Sequence, residues 1–149
     1  MNSGETSSRT ATGSGPSPST GPIIVTGAAG FIGMHTAERL LDRGETVIGV
    51  DSFNDYYDPA LKEARAARLE AYANFRMVRA DIADHERMRA LVADSGAKRI
   101  VHLAAQAGVR YSIENPFAYE RSNLAGHLSM LEAARHNGVE HLVYASSSS

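Results

Sequence analysis

The sequence has no cysteine. Disulfides, thiolate zinc sites and cysteine nucleophiles are therefore excluded. Neither sign of charge dominates, with 15 Lys and Arg against 17 Asp and Glu for a formal net charge of −2. Without a large positive field to gather phosphate backbones, nucleic-acid binding by bulk electrostatics is not expected. No apolar run approaches the ~18–20 residues that span a bilayer. The polar N-terminus lacks the apolar stretch, roughly 7–15 residues long, of a signal peptide. These absences point to a cytoplasmic protein. His35, His85, His102, His127, His136 and His141 show no ligand spacing, so no metal is expected.

Across the 149 residues, 43% are hydrophobic and 21% charged, which suits one ordinary domain. Ser, Thr, Gly and Pro make up 16 of the first 21 residues. A segment so poor in apolar side chains cannot repay its ordering entropy, and residues 1–21 read as a disordered tail. From Pro22 onward, short apolar runs alternate with segments of helical period. The runs are Ile23-Ile24-Val25, Val47 to Val50, Phe75 to Val78, Ile100 to Leu103 and Leu142 to Ala145. Most are nearly continuous, as in strands covered on both faces.

Helix signals lie between the runs. The first helix is expected over about Gly30 to Arg43, with Ile32, Ala37, Leu40 and Leu41 inward and Gly44 as its stop. Asp58-Pro59, Asp84 and Asn115-Pro116 supply N-caps, two of them followed by Pro at the first helical position. Leu124, Leu128 and Leu131 form a stripe expected to face the core, on a helix ending near Gly138. Repeated strand–helix alternation predicts a doubly wound α/β fold with a five-stranded parallel sheet in the order 3-2-1-4-5.

After the first strand comes Thr26-Gly27-Ala28-Ala29-Gly30-Phe31-Ile32-Gly33. Gly27, Gly30 and Gly33 allow a sharp turn, close approach of a pyrophosphate and tight helix packing, a Rossmann-type arrangement. The N–H groups near Phe31 and Ile32, with the helix dipole, would hold the anion. Asp51 ends the second strand, close to the ~20-residue offset at which an acidic residue meets the adenosine ribose. A carboxylate there accepts from two ribose hydroxyls and repels a 2′-phosphate, which favours NAD over NADP. Asp81-Ile82 and Leu103-Ala104-Ala105-Gln106 end the third and fourth strands at the same ligand-binding edge. Each also suits an ordinary β–α connection.

The glycine loop, Asp51-Ser52-Phe53-Asn54-Asp55-Tyr56-Tyr57, His102 to Ser112, Ser122-Asn123-Leu124 and Tyr144 to Ser149 resemble the extended short-chain dehydrogenase/reductase family, the NAD-dependent nucleotide-sugar epimerases and dehydratases. Within it, Asn54 to Asp58 and Ala105 to Ser112 are most similar to the UDP-glucuronate 4-epimerase branch. The resemblance implies NAD held by the glycine loop, Asp51, Ser52, Asn54, Asp81, Ile82, Leu103 to Gln106 and Asn123. It also implies a UDP-sugar substrate near Arg110 and Asn123; Arg110 equally suits a surface ion pair with Glu114. A serine at the end of the fifth strand would bond the reacting hydroxyl. Ser147 matches if Val-Tyr-Gly follows Ser149, with Ser146 and Ser148 as register alternatives. The family's dehydratases carry an Asp-Glu pair directly after that serine, where this chain has Ser148 and Ser149. Epimerisation is therefore expected over elimination.

The family's Tyr-x-x-x-Lys pair is missing, since the only lysines, Lys62 and Lys98, stand at that offset from no tyrosine. The chain is thus expected to be the NAD-binding part of a longer epimerase and inactive alone. The resemblance implies a homodimer for the whole enzyme, built partly from a helix absent here, and so an exposed apolar patch on this chain. The alternatives are a non-catalytic NAD-binding module, or a dehydratase or reductase of the same family.

Overall fold

A computed structural model describes residues 21–146. The expected tail, apart from Gly21, and Ser147, Ser148 and Ser149 lie outside the described residues. The strands are β1 (Ile23–Thr26), β2 (Val47–Asp51), β3 (Phe75–Arg79), β4 (Arg99–His102) and β5 (His141–Tyr144). All neighbours pair in parallel in the order β3-β2-β1-β4-β5, as expected. The helices are α1 (Phe31–Asp42), α2 (Pro59–Glu70), α3 (His85–Ser95), α4 (Val109–Glu114), α5 (Pro116–Tyr119) and α6 (Gly126–His136), with a π-helical segment over Glu120–Ala125.

Every residue of the central strands β1 and β2 is buried, which explains their continuous apolar character. One face of the sheet packs Ile24, Ile48, Val50 and Ile100 against Met88 and Val92 of α3 and Met130 and Ala133 of α6. The other packs Ile23, Val25 and Val47 against Met34, Ala37 and Leu41 of α1 and Leu69 of α2. Each such side chain contributes roughly 1.5–3 kcal/mol by leaving water. The caps form as read. Asp58 accepts from the Ala60 N–H at 2.9 Å, Asp84 from Arg87 at 3.1 Å and Asn115 from Ala118 at 3.2 Å. Each satisfies a donor that the first helical turn leaves free.

Two packing expectations are corrected. Ile32 is 66% exposed, and Gly33 and Met34 take the inward positions beside it. The Leu124, Leu128 and Leu131 stripe also faces outward, with Leu124 at 65% and Leu128 at 60% exposure. Helix α6 instead buries a face of smaller residues, Gly126, Ser129, Ala133 and Ala134, with Met130. Small side chains let the helix lie close to the sheet, so the bulkier leucines are left on the opposite side. The π-helical segment also breaks the single helical phase that would run from Pro116 to His136.

Candidate functional site

The carboxyl ends of the central strands open into a cleft with a cavity volume of about 120 Å³, at the position where open α/β sheets bind ligands. Gly27, Gly30, Asp51, Ser52, Asn54, Asp81, Ile82, Leu103, Ala104, Ala105 and Gln106 line it. The fold thus gathers four separated sequence segments at one edge. Tyr56, Tyr57, Lys62, Ala80 and Ser122 complete the wall.

The glycine loop leaves β1 with Gly27 at φ +72°, and the Gly27 N–H donates to Val50 O at 2.7 Å. A Cβ on Gly33 would collide with the Gly27 carbonyl oxygen, so α1 packs onto the loop only through glycine. Gly30 caps α1 without a side chain. The N–H groups of Phe31 and Ile32 begin the helix and have no intrahelical acceptor, which suits an anion. Their rings and methyls are exposed, so any role of these residues in the site is carried by backbone.

Asp51 is more heavily engaged than its sequence position implies. Its Oδ2 accepts from the Ala29 N–H at 3.0 Å and its Oδ1 from the Phe53 N–H at 2.9 Å. Lys62 Nζ lies 3.2 Å from the same Oδ1, and both side chains are less than one-tenth exposed. Lys62 was missed because a lysine on a helix ordinarily marks a solvated face. The available signal was its place at i−4 from Ala66 and i−7 from Leu69, on the buried stripe of α2. Three residues on, Arg65 Nη1 donates to Ala29 O at 3.4 Å, which ties α2 to the glycine loop.

A second arrangement lies under the loop. The buried Thr26 Oγ1 accepts from the N–H groups of Leu103 and Ala104, each at 3.1 Å. It lies 2.7 Å from His102 Nδ1. With both lone pairs occupied, the hydroxyl donates to Nδ1, and the imidazole carries its proton on Nε2. Burial, with a smaller contribution from nearby His127, lowers the His102 pKa from 6.5 to about 4. His102 is therefore a neutral strap between the glycine loop and the end of β4.

Asn123 sits on the π-helical segment and holds the backbone of Gln106 from both sides. Its Oδ1 accepts from the Gln106 N–H at 2.8 Å and its Nδ2 donates to the Gln106 O at 3.0 Å. It borders a neighbouring hollow with His102, His127 and Tyr144. Arg110 is 95% exposed, 3.9 Å from Glu114 and outside the main cleft. Asp81 lines the cleft while its carboxylate accepts from the Ala83 N–H at 2.8 Å and Arg121 Nε at 2.9 Å. Tyr56 packs on Tyr111 with centroids 4.6 Å apart, and its hydroxyl abuts Gly108. Burial and the adjacent tyrosines push the Tyr56 phenol above its ordinary pKa, so it stays neutral. Among the described residues no cluster of acidic or histidine side chains could hold a metal ion, and no helix is long and apolar enough to cross a membrane.

The parallel sheet, the glycine turn and the acidic end of β2 define a Rossmann-type dinucleotide-binding fold. The chain belongs to the NAD-dependent nucleotide-sugar epimerase and dehydratase family. The GDP-mannose 4,6 dehydratase family profile matches residues 24–149. Over 128 residues it is 51% identical to UDP-glucuronate 4-epimerase 4 of Arabidopsis thaliana, covering 85% of this chain and 29% of that protein. A probable UDP-glucuronate 4-epimerase of Rhizobium meliloti is 47% identical over 126 residues, covering 85% of this chain and 37% of the relative. Among solved structures, a mutant UDP-glucuronic acid 4-epimerase from Bacillus cereus, in complex with UDP-4-deoxy-4-fluoro-glucuronic acid and NAD, matches with TM-score 0.76 and 33% identity. That match covers 86% of this chain and 40% of the other. UDP-glucose 4-epimerase from Stenotrophomonas maltophila, with bound NAD and formylated UDP-arabinopyranose, gives TM-score 0.74 at 35% identity over 86% and 37% of the two chains. The chain thus spans well under half the length of these relatives.

Proposed function

We propose that this chain is the NAD-binding part of a nucleotide-sugar 4-epimerase that interconverts UDP-glucuronate and UDP-galacturonate. The observation that carries this reading is the meeting of Tyr56 and Tyr111 at the cleft. They come from the two segments, Asn54 to Asp58 and Ala105 to Ser112, that most resemble the UDP-glucuronate 4-epimerases. Residues 22–149 would act as one cofactor-binding unit, with residues 1–21 as a tail. The coverage of the relatives and the resemblance are consistent with a cytoplasmic homodimeric enzyme of greater length.

The residues suit NAD. The N–H groups of Phe31 and Ile32 would hold the pyrophosphate, Asp51 the adenosine ribose, and Asp81 with Ile82 the adenine edge. Gly27 and Gly30 present backbone to the cleft, so no side chain blocks the phosphates. Leu103 to Gln106, braced by Thr26 and Asn123, would line the nicotinamide half. When bound, NAD supplies a reversible hydride acceptor. Ser147 would hold the reacting sugar hydroxyl, and Arg110 and Asn123 would lie towards the UDP-sugar. The general base of the family, a tyrosine with a lysine four residues later, is not among these 149 residues. The chain by itself would therefore bind cofactor without turning over substrate.

The test is incubation of UDP-glucuronate and NAD with this chain and with a longer reading frame that includes the Tyr-x-x-x-Lys segment. UDP-galacturonate formed only by the longer protein supports the reading. Conversion by the 149-residue chain contradicts its inactivity, and failure of the longer protein to convert contradicts the assigned reaction.

A further inference from the structure

The two walls of the cleft leave strands that are not neighbours. Residues 52–57 follow β2 and residues 103–108 follow β4, and β1 runs between those strands in the sheet. The strands therefore stand two spacings apart, about 9.5 Å. The glycine loop and the start of α1 fill the gap. A contact from one wall to the other has to pass over that loop, above the free N–H groups of the first turn of α1.

Tyr56 and Tyr111 make such a contact. Their rings are tilted at 46° with centroids 4.6 Å apart, and Tyr57 packs edge-on against Tyr56 at 4.7 Å. The fit depends on Gly108, which has a φ of +97°. A Cβ there would collide with the Tyr56 hydroxyl, so bare backbone seats the end of the ring. The Tyr111 side of this strap is lightly held. No residue of α4 is buried, and among the described residues its side-chain hydrogen bonds and ion pair stay within residues 109–115. A segment with so few buried contacts opens at little cost. Beside the strap, the cavity of about 120 Å³ is well below the roughly 300–1,000 Å³ of small-molecule sites. A dinucleotide enters only if the walls part, and the tyrosine contact is a tie across them.

We propose that Tyr56 and Tyr111 form a gate over the cleft, which parts to admit NAD and closes above its pyrophosphate to retain it. The gate rests on the reading of the cleft as an NAD site. A closed gate lowers the fraction of chains competent to bind, so it slows association as well as release. That pairing separates a gate from a residue that only touches the cofactor, whose loss speeds release alone.

Stopped-flow binding of NADH to the 149-residue chain tests the gate, because the chain has no tryptophan and the fluorescence of the reduced nicotinamide reports binding. Displacement by excess NAD gives the release rate. Tyr111→Ala should accelerate both association and release by roughly three- to tenfold, the weight of one aromatic pair. Tyr111→Phe, which keeps the ring, should stay within about twofold of the wild type. Adding Tyr56→Ala to Tyr111→Ala should accelerate association no further, since both remove one contact; a further gain would show separate effects and overturn the gate. Unchanged association in Tyr111→Ala also overturns it, as do faster release alone and equal effects of the Ala and Phe variants. If Tyr111→Ala does not unfold cooperatively, amide hydrogen exchange of the wild type decides. Bound NAD should slow exchange across residues 53–57 and 109–114 together, and protection of only one segment, or of neither, overturns the gate. Absence of any NADH binding by the wild type would instead overturn the reading of the cleft, and the gate with it.

Discussion

Thr26 Oγ1 stands 2.7 Å from His102 Nδ1 while accepting the N–H groups of Leu103 and Ala104. Residues 76 positions apart are joined beneath the cleft, and the first residue of the glycine motif holds the loop that ends β4. Thr26→Val removes three hydrogen bonds at once and leaves the Ala104 N–H and an imidazole nitrogen unpaired, while the Leu103 N–H keeps only the main-chain oxygen of residue 26, at 3.3 Å. It should cost about 2–4 kcal/mol in urea unfolding, whereas Thr26→Ser should cost about 1 kcal/mol for the lost methyl. Equal effects of the two variants would contradict the strap.

The same pair predicts a pH dependence. The folded-state pKa of His102 is about 4 against 6.5 for an unperturbed histidine. Between these values the unfolded chain binds a proton that the folded chain refuses. Stability is therefore fully present above pH 6.5 and falls as the pH drops towards 4, by about 3 kcal/mol at most. Denaturant melts from pH 7 to pH 4 measure the fall. His102→Gln, which keeps an acceptor for Thr26 but does not titrate, should flatten it.

The two faces of α6 should respond in opposite ways. Met130 is 1% exposed, and Met130→Ala should cost roughly 2–5 kcal/mol. Leu128 is 60% exposed, and Leu128→Gln should stay within about 0.5 kcal/mol of the wild type. Thermal or denaturant unfolding of both variants reads the difference directly.

Gly33 should tolerate no side chain. Gly33→Ala places a Cβ against the Gly27 carbonyl, and relief of the clash must move the loop or α1. The variant should lose about 1–3 kcal/mol and at least tenfold in NAD affinity by titration. Gly44→Ala, with nothing near its Cβ but a φ of +81°, should lose roughly 1 kcal/mol and leave NAD affinity unchanged.

Features carried by local pattern were legible in the sequence. Buried strands read as apolar runs, Asp58, Asp84 and Asn115 as caps, and the glycine spacing as a loop, and each is present. The outward turn of Leu124 and Leu128 was not legible, because periodicity identifies a face without naming what it meets. Here the smaller face of α6 makes the closer packing. Asp51 lines the cleft, but two of the donors that fill it come from α2 and the glycine loop, and their approach depends on tertiary geometry. The bracing of Gln106 by Asn123 likewise depends on a π-helical turn that leaves no mark in hydrophobic period. Ser147, the expected catalytic position, lies outside the described residues.

Isothermal titration of the 149-residue chain with NAD and NADP bears most directly on its assignment as a cofactor-binding unit. NAD should saturate one site per chain and bind more tightly than NADP, and Asp51→Ala should abolish the preference. No saturable NAD binding, or tighter binding of NADP by the wild type, would contradict the assignment.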